Sequence, residues 1–328
     1  MMGGGGMSAR KLLVDTDGGT DDALALALLA ARGRAPDYVT TVFGNVSLAQ
    51  ATDNILATLA VLGLAAAVHA GAERPLLGAA INAADVHGED GLGGAPRPAR
   101  IPAIVSHNGL DFLRATLRSA ARDKADGGEP IDVLALGPLT NLALALRSEP
   151  ALAAGIGRLV IMGGTSRGRG NMTGAAEFNI LADPEAAAIV LSLPLATELV
   201  PWEPCVDATL SGAELDAIFG RAAPGARRDF LKALVDQLRR VTIAYGGEDG
   251  FSPPDPLAAA ILLDPAIATK IVRAGVAVEC GGTYARGATI FDEPPKWGMP
   301  PIATTDGIDV PRFKARFGAA IERLCAAG

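Results

Sequence analysis

Asp15, Asp17, Asp21 and Asp22 crowd four carboxylates into the eight-residue run Asp15-Thr16-Asp17-Gly18-Gly19-Thr20-Asp21-Asp22. Like charges this close repel one another, and a shared cation is the usual way to hold them together. Carboxylates and backbone carbonyls suit a hard divalent ion, and a flexible shell of many oxygens favours Ca²⁺ over Mg²⁺. Helix capping is the competing explanation, and Asp21 or Asp22 would serve. One cap needs one aspartate, whereas the run holds four. A metal-holding turn accounts for all of them.

Such a turn needs a scaffold, and the flanking sequence supplies one. Residues 11–14 read as a buried strand, and 22–31 show helical apolar spacing that stops near Gly33. The unit repeats as strand 38–43, turn Gly44-Asn45 and helix 48–62, then as strand 131–136, turn Gly137-Pro138 and helix 139–146. Strands at 159–162, ended by Gly163-Gly164, and at 195–200 continue it. Alternation of this kind implies right-handed βαβ crossovers and an open, mostly parallel, Rossmann-like α/β sheet flanked by helices. Ligands of such sheets sit beyond the carboxyl ends of the strands, so the turns at 15–22, 44–45 and 136–141 should face one crevice. The Gly- and Pro-rich stretches 79–102 and 246–254 read as binding loops. Residues 1–9 read as a flexible leader and 10–328 as a single domain.

Composition narrows the function. A hydrophobic fraction of 49% and a charged fraction of 20% describe a globular chain. With 29 Lys and Arg against 36 Asp and Glu, the net charge of −7 argues against nucleic acid or an anionic membrane as partner. Cys205, Cys280 and Cys325 are far apart and odd in number, which fits a reducing compartment. No apolar run is long enough to span a bilayer, and the first residues lack a signal peptide's pattern, so the expected location is cytoplasmic.

More motifs lie downstream: Gly44-Asn45, Gly137-Pro138-Leu139-Thr140-Asn141, Gly170-Asn171 through Glu177-Phe178-Asn179, and Asp255-Pro256-Leu257-Ala258-Ala259. The acidic turn alone invites comparison with phosphatases of the haloacid dehalogenase type. Their Asp-x-Asp-x-Thr motif would need Thr or Val where Gly19 stands, and Thr20 comes one place late. Together and in this order, over about residues 11–310, the motifs resemble the inosine–uridine-preferring nucleoside hydrolase family. The resemblance implies bound Ca²⁺ and hydrolysis of the N-glycosidic bond of a ribonucleoside. It makes Asp17 the general base, and Asp15, Asp17, Asp22, Asp255 and the Leu136 carbonyl the metal ligands. It assigns Asp21 to the ribose 2′-hydroxyl and Asn45 to the attacking water. Asn171 and Glu177 would hold the 5′-hydroxyl, Asn179 the 3′ side, and Met162 and Phe178 would wall the sugar pocket. Asp255, as a ligand, also borders the substrate. Homodimers or homotetramers are usual in the family.

Cleaving a C–N glycosidic bond passes through an oxocarbenium-like sugar, which rigid contacts to each ribose hydroxyl help to distort. A cation on the diol lowers the pKa of a neighbouring water, and an adjacent carboxylate can take its proton. One position departs from the pattern. Many members carry, just before the second metal aspartate, a His that protonates the leaving base; here that residue is Pro254. His87 in the Gly-rich loop, or a stacking aromatic such as Tyr245, Phe251 or Trp202, is the substitute to examine. His69 reads as a core or rim residue and His107 as the start of a surface helix. Asp183-Pro184-Glu185 and Asp264-Pro265 read as helix caps, and Asp255-Pro256 has the same form. A nucleoside-binding sensor without turnover is the non-enzymatic alternative, disfavoured by the presence of Asp17 and Asn45.

Overall fold

The computed structural model describes residues 10–294 and 296–327; the leader expected over 1–9 lies outside them. Strand β1 (Leu12–Thr16) runs into α1 (Thr20–Ala31), β2 (Tyr38–Thr41) into α2 (Leu48–Leu62), and β3 (Ala67–Ala70) into the Gly-rich excursion. That excursion carries one short helix, α3 (Ala84–His87), before α4 (Gly109–Ala125). β4 (Ile131–Ala135), α5 (Thr140–Ser148), β5 (Ile156–Met162), α6 (Phe178–Ala182), α7 (Pro184–Leu191) and β6 (Thr197–Val200) continue the alternation. Next come α8 (Trp202–Asp207), β7 (Leu210–Ser211), α9 (Gly212–Arg221), α10 (Ala226–Ala244), β8 (Gly250–Phe251) and α11 (Pro254–Leu263). β9 (Ala268–Val278), β10 (Thr289–Asp292), β11 (Ile302–Ile308) and α12 (Val310–Ala326) follow.

One nine-stranded sheet has the order β10-β9-β11-β6-β5-β4-β1-β2-β3. Every pairing from β3 across to β11 is parallel, while β9 pairs antiparallel with both β11 and β10. The open, mostly parallel α/β sheet is as expected. The antiparallel edge is additional, and antiparallel neighbours need no helical crossover to announce them in sequence.

Strand β1 shows how the layers form. Successive side chains point to opposite faces, so Leu12 and Val14 join the core built with α1, α2, α10, α11 and α12. Leu13 joins the other core, with α4, α5 and α7. Helix α1 is buried at every residue except Ala30, as befits a helix apolar all round. Its Leu24, Leu26, Leu28 and Leu29 are sealed off from water, each contributing roughly 1.5–3 kcal/mol by burial. From β1 the chain proceeds to β2 and β3 on one side, then returns with β4 on the other. The strand order therefore reverses at β1, and the crevice of such a sheet opens at that reversal.

Candidate active site

Asp17 lies one residue past β1, fully buried. Its Oδ2 accepts the Asn45 backbone N–H at 2.8 Å and its Oδ1 accepts the Asn45 side-chain amide at 2.9 Å. That approach needs Gly44: a Cβ there would lie 2.0 Å from Asp17 Oδ2. Gly18, at φ 69°, turns the chain where a Cβ would sit 2.7 Å from the Ala51 backbone. Asp22, in the first turn of α1, accepts the Gly19 N–H at 2.7 Å and the Thr16 hydroxyl. The Asn45 amide also reaches Asp22 Oδ2 at 3.1 Å, so one donor bridges the two carboxylates.

Asp255 enters from the first turn of α11 and is buried. It makes no capping bond, and among the described residues its Oδ2 has no hydrogen-bond partner, nor has Oδ1 of Asp21. The capping explanation of Asp255 is thereby removed. One oxygen each from Asp21, Asp22 and Asp255 lie within 4.8 Å of one another. Among the described residues no lysine or arginine forms an ion pair with this group; its one potentially cationic neighbour is His87, 3.6 Å from Asp21. Burial pushes the Asp21 carboxyl up to about 6. Asp22 is likewise held at about 6 by burial and the charge of Asp21. Asp17 is pushed well above the usual range by burial and Asp22, and Asp255 by burial and the charges of Asp21, Asp22 and Asp17. Buried carboxylates with orphaned oxygens and no cationic side chain fit a bound cation, and an all-oxygen donor set fits a hard one.

Asp15 stands apart and corrects the expectation that it faces the metal. It is still within β1, and alternation turns it to the Leu13 face, away from α1. There its Oδ1 accepts from the Asn141 amide at 2.7 Å and from the Thr40 hydroxyl at 2.5 Å, and its carboxyl rises to about 6 through burial. Asn141, read as a helix starter, is a buried tie. Its amide also reaches the Thr41 carbonyl at 3.1 Å, and its Oδ1 accepts the Ala72 N–H at 2.8 Å.

The ends of β4 and β5 meet at Asn179. Its amide donates to the Leu136 carbonyl at 2.9 Å and the Met162 carbonyl at 3.2 Å. A carbonyl oxygen has two lone pairs, so Leu136 keeps one free. Glu177 caps α6, accepting from the N–H groups of Asn179 (2.9 Å), Gly164 (2.9 Å) and Ile180 (3.2 Å). Burial raises its carboxyl to about 7 against those bonds. Asn171 is exposed and receives the Phe178 N–H at 2.9 Å. Phe178 packs with Val42, Phe43, Ala83 and Ala182, and Met162 is buried at the end of β5.

His87 ends α3, 5% exposed, with Nδ1 at 2.7 Å from the Thr20 hydroxyl and 3.2 Å from the Thr20 backbone nitrogen. The aromatic candidates fare differently. Phe251 is buried in the core against Phe317, at 6.0 Å between ring centroids, and is unavailable for stacking on a base. Trp202 packs on the same core from the start of α8. Tyr245 is 66% exposed, its hydroxyl 2.5 Å from Asp85 on α3. His69 stacks on Phe112 at 3.5 Å in the core, and Asn108, the residue after His107, caps α4. Asp183 caps α7 as expected, whereas Asp264 caps nothing and instead binds Arg312 and Arg316.

Sequence reasoning passed over two further supports. Asn54, buried in α2, donates to the Gly18 carbonyl at 2.8 Å and the Asp90 carbonyl at 2.9 Å, tying the acidic turn to the Gly-rich loop. Glu203 on α8 receives the N–H groups of Ser166 (2.8 Å) and Arg167 (2.6 Å), fixing the loop after β5. A polar residue within the mainly apolar α2 was the only signal for Asn54; Glu203 had none.

Over residues 12–315 the chain matches the family model described as inosine-uridine preferring nucleoside hydrolase. It belongs to that family. The chain is accordingly a ribonucleoside hydrolase, an enzyme that splits N-glycosidic bonds, and the phosphatase reading is set aside. It is 34% identical over 311 residues to the "Pyrimidine-specific ribonucleoside hydrolase RihA" of Salmonella agona (strain SL483), covering 93% of this chain and 95% of that one. Among solved structures it resembles a purine-preferring ribonucleoside hydrolase from Gardnerella vaginalis (TM-score 0.87, 25% identity, 97% and 100% coverage). An inosine-guanosine nucleoside hydrolase is also similar (TM-score 0.84, 28% identity, 96% and 99% coverage). In this hydrolase the acidic group can hold a metal, and no helix among the described residues is long and apolar enough to cross a membrane.

Proposed function

We propose that the chain hydrolyses ribonucleosides to ribose and free base in a Ca²⁺-dependent reaction, with Asp17 as the general base. The observation that carries this is the buried meeting of Asp21, Asp22 and Asp255, with orphaned oxygens on Asp21 and Asp255. Asp17, Asp22, Asp255 and the Leu136 carbonyl would hold the cation, and Asp15 would support β1 from the opposite face. When bound, Ca²⁺ supplies positive charge that orients the ribose diol and acidifies water beside it.

The protein's own residues do the rest. Asp17, held by both Asn45 donors, removes the proton from the attacking water. Asn45 orients that water and Asp21 binds the 2′-hydroxyl. Asn179 takes the 3′ side, Asn171 and Glu177 the 5′-hydroxyl, and Met162 and Phe178 close the walls. His87 assists departure of the base in place of the His replaced by Pro254. The relatives' names point to pyrimidine in one case and purine in others, so the shared chemistry is that of the ribose. We further propose one domain over residues 10–328, a homodimer or homotetramer, a cytoplasmic location, and neither nucleic acid nor membrane as partner.

Release of reducing sugar from a panel of purine, pyrimidine and modified ribosides tests the reading. Turnover of at least one, lost with D17N, is expected. Binding of ribosides without turnover of any would replace it with a sensor.

A further inference from the structure

Helix α1 begins at Thr20, whose backbone N–H is one of the first-turn donors with no partner inside the helix. No side chain at the cap position serves α1, since that residue is Gly19. The donor is met by a ring 67 residues away in sequence: the Thr20 N–H points at Nδ1 of His87, at 3.2 Å. The Thr20 hydroxyl lies against the same nitrogen at 2.7 Å. Gly19 permits the approach, because a Cβ there would come within 2.9 Å of Nδ1.

A backbone N–H can only donate, so the nitrogen it points at has to accept. A proton on Nδ1 would set N–H against N–H, and both the Nδ1–H tautomer and the imidazolium place one there. The ring proton is therefore on Nε2. Among the described residues that atom has no hydrogen-bond partner, and it is not sealed from solvent, so it faces accessible space. The positive end of α1 adds to the case against a cationic ring. Asp21 at 3.6 Å, Asp22 and Asp85 pull the other way, but burial outweighs them and holds the imidazole down at about 4.

We infer that Thr20 locks His87 in the neutral Nε2–H tautomer, so that His87 serves the departing base as a hydrogen-bond donor and not as a proton-donating imidazolium. The donor role rests on the reaction proposed above; the lock does not. As the C–N bond breaks, its electron pair stays on the base nitrogen, and the Nε2–H bond spreads that negative charge. The proton that Asp17 took from the attacking water returns through solvent to the base. Atoms and charge balance without transfer from His87.

With only three histidines in the chain, the long-range ¹H–¹⁵N spectrum of the ¹⁵N-histidine-labelled, Ca²⁺-supplemented full chain reads the tautomer directly, and H87Q assigns the signal. The expected pattern at neutral pH is a protonated Nε2 and a bare Nδ1. A proton on Nδ1, alone or with Nε2, overturns the lock. Kinetics tests the donor: glutamine can present an N–H in the place of Nε2, alanine cannot. H87A should lower kcat about 100-fold, the scale of one lost preorganised donor, and H87Q should stay within about tenfold of the parent. Equal losses in the two variants overturn the donor role. The expected spectrum in a chain that splits no riboside keeps the lock and removes the reaction.

Discussion

The acidic turn and the base-side elements are built on different supports. Asp17, Asp22 and Asp255 sit at strand or helix ends, buried and anchored to the central sheet. His87 and Asp85 ride on a four-residue helix inside an irregular excursion, and Tyr245 projects from the end of α10 with two thirds of its surface in water. Rigid elements hold reacting groups to a fraction of an ångström, whereas surface loops vary at low cost. Under the proposed function the ribose half rests on the rigid support and the base half on the loop-borne one, and the relatives' names include both pyrimidine and purine on one fold.

The largest effect that can break this contrast is expected at the rigid half. D17N keeps the shape but loses the proton acceptor. Its kcat should fall about 1,000-fold or more, with a lowered thermal midpoint as well, since an amide N–H meets one of the two Asn45 donors and a cation ligand is weakened. Retention of activity would remove Asp17 from the chemistry.

Chelation comes next. Stripping divalent ions should abolish turnover and lower the thermal midpoint, and Ca²⁺ should restore both better than Mg²⁺; saturation at about 1,000 times Kd corresponds to ~4 kcal/mol. The stripped chain should also depend on pH in a stated direction. Asp21 and Asp22 rise to about 6 and Glu177 to about 7 in the folded state. Groups with raised folded pKa values bind protons better when folded, so their contribution is complete below the unfolded values and is lost as pH climbs through about 6 to 7. The stripped protein should therefore melt higher at pH 5 than at pH 7.5, and Ca²⁺ should flatten or reverse that slope. A midpoint that ignores both ion and pH would contradict the cation site.

Smaller still is the support beneath the turn. N141A leaves Asp15 and the Ala72 N–H short of a partner, at about 1–3 kcal/mol of stability, with KM affected less than kcat. The smallest change is expected at the adjustable half: Y245F removes an exposed bond to Asp85 and should alter stability by under ~0.5 kcal/mol. If it shifts the ratio of purine to pyrimidine turnover while leaving kcat on the best riboside within a fewfold, the contrast sharpens. If Y245F costs as much as D17N, the contrast fails.

Much of the fold was legible because the crossover units advertise themselves: helix 48–62 was bounded to the residue as α2 (Leu48–Leu62). The β9–β10–β11 edge was not, since β9 is half-exposed and its turns carry no helical period. Asp17 and Asp22 could be singled out in advance because four carboxylates in eight residues have no cheap structural explanation, whereas Asp255 has the form of a helix cap and was singled out by the family resemblance alone. Asp15 misled because its charge was visible while its facing was not; the added strand residues 15 and 16 decide that. Phe251 misled likewise, since a loop aromatic can be a core residue.

The amino-acid order by itself determined the alternating elements and the places where acids gather, because both follow from local period and spacing. Which acids share a space, which nitrogen of His87 carries the proton, and what Asn54, Asn141 and Glu203 hold were decided only by the tertiary structure. Each depends on groups tens of residues apart meeting across a sheet, and hydrogen bonds act only at contact.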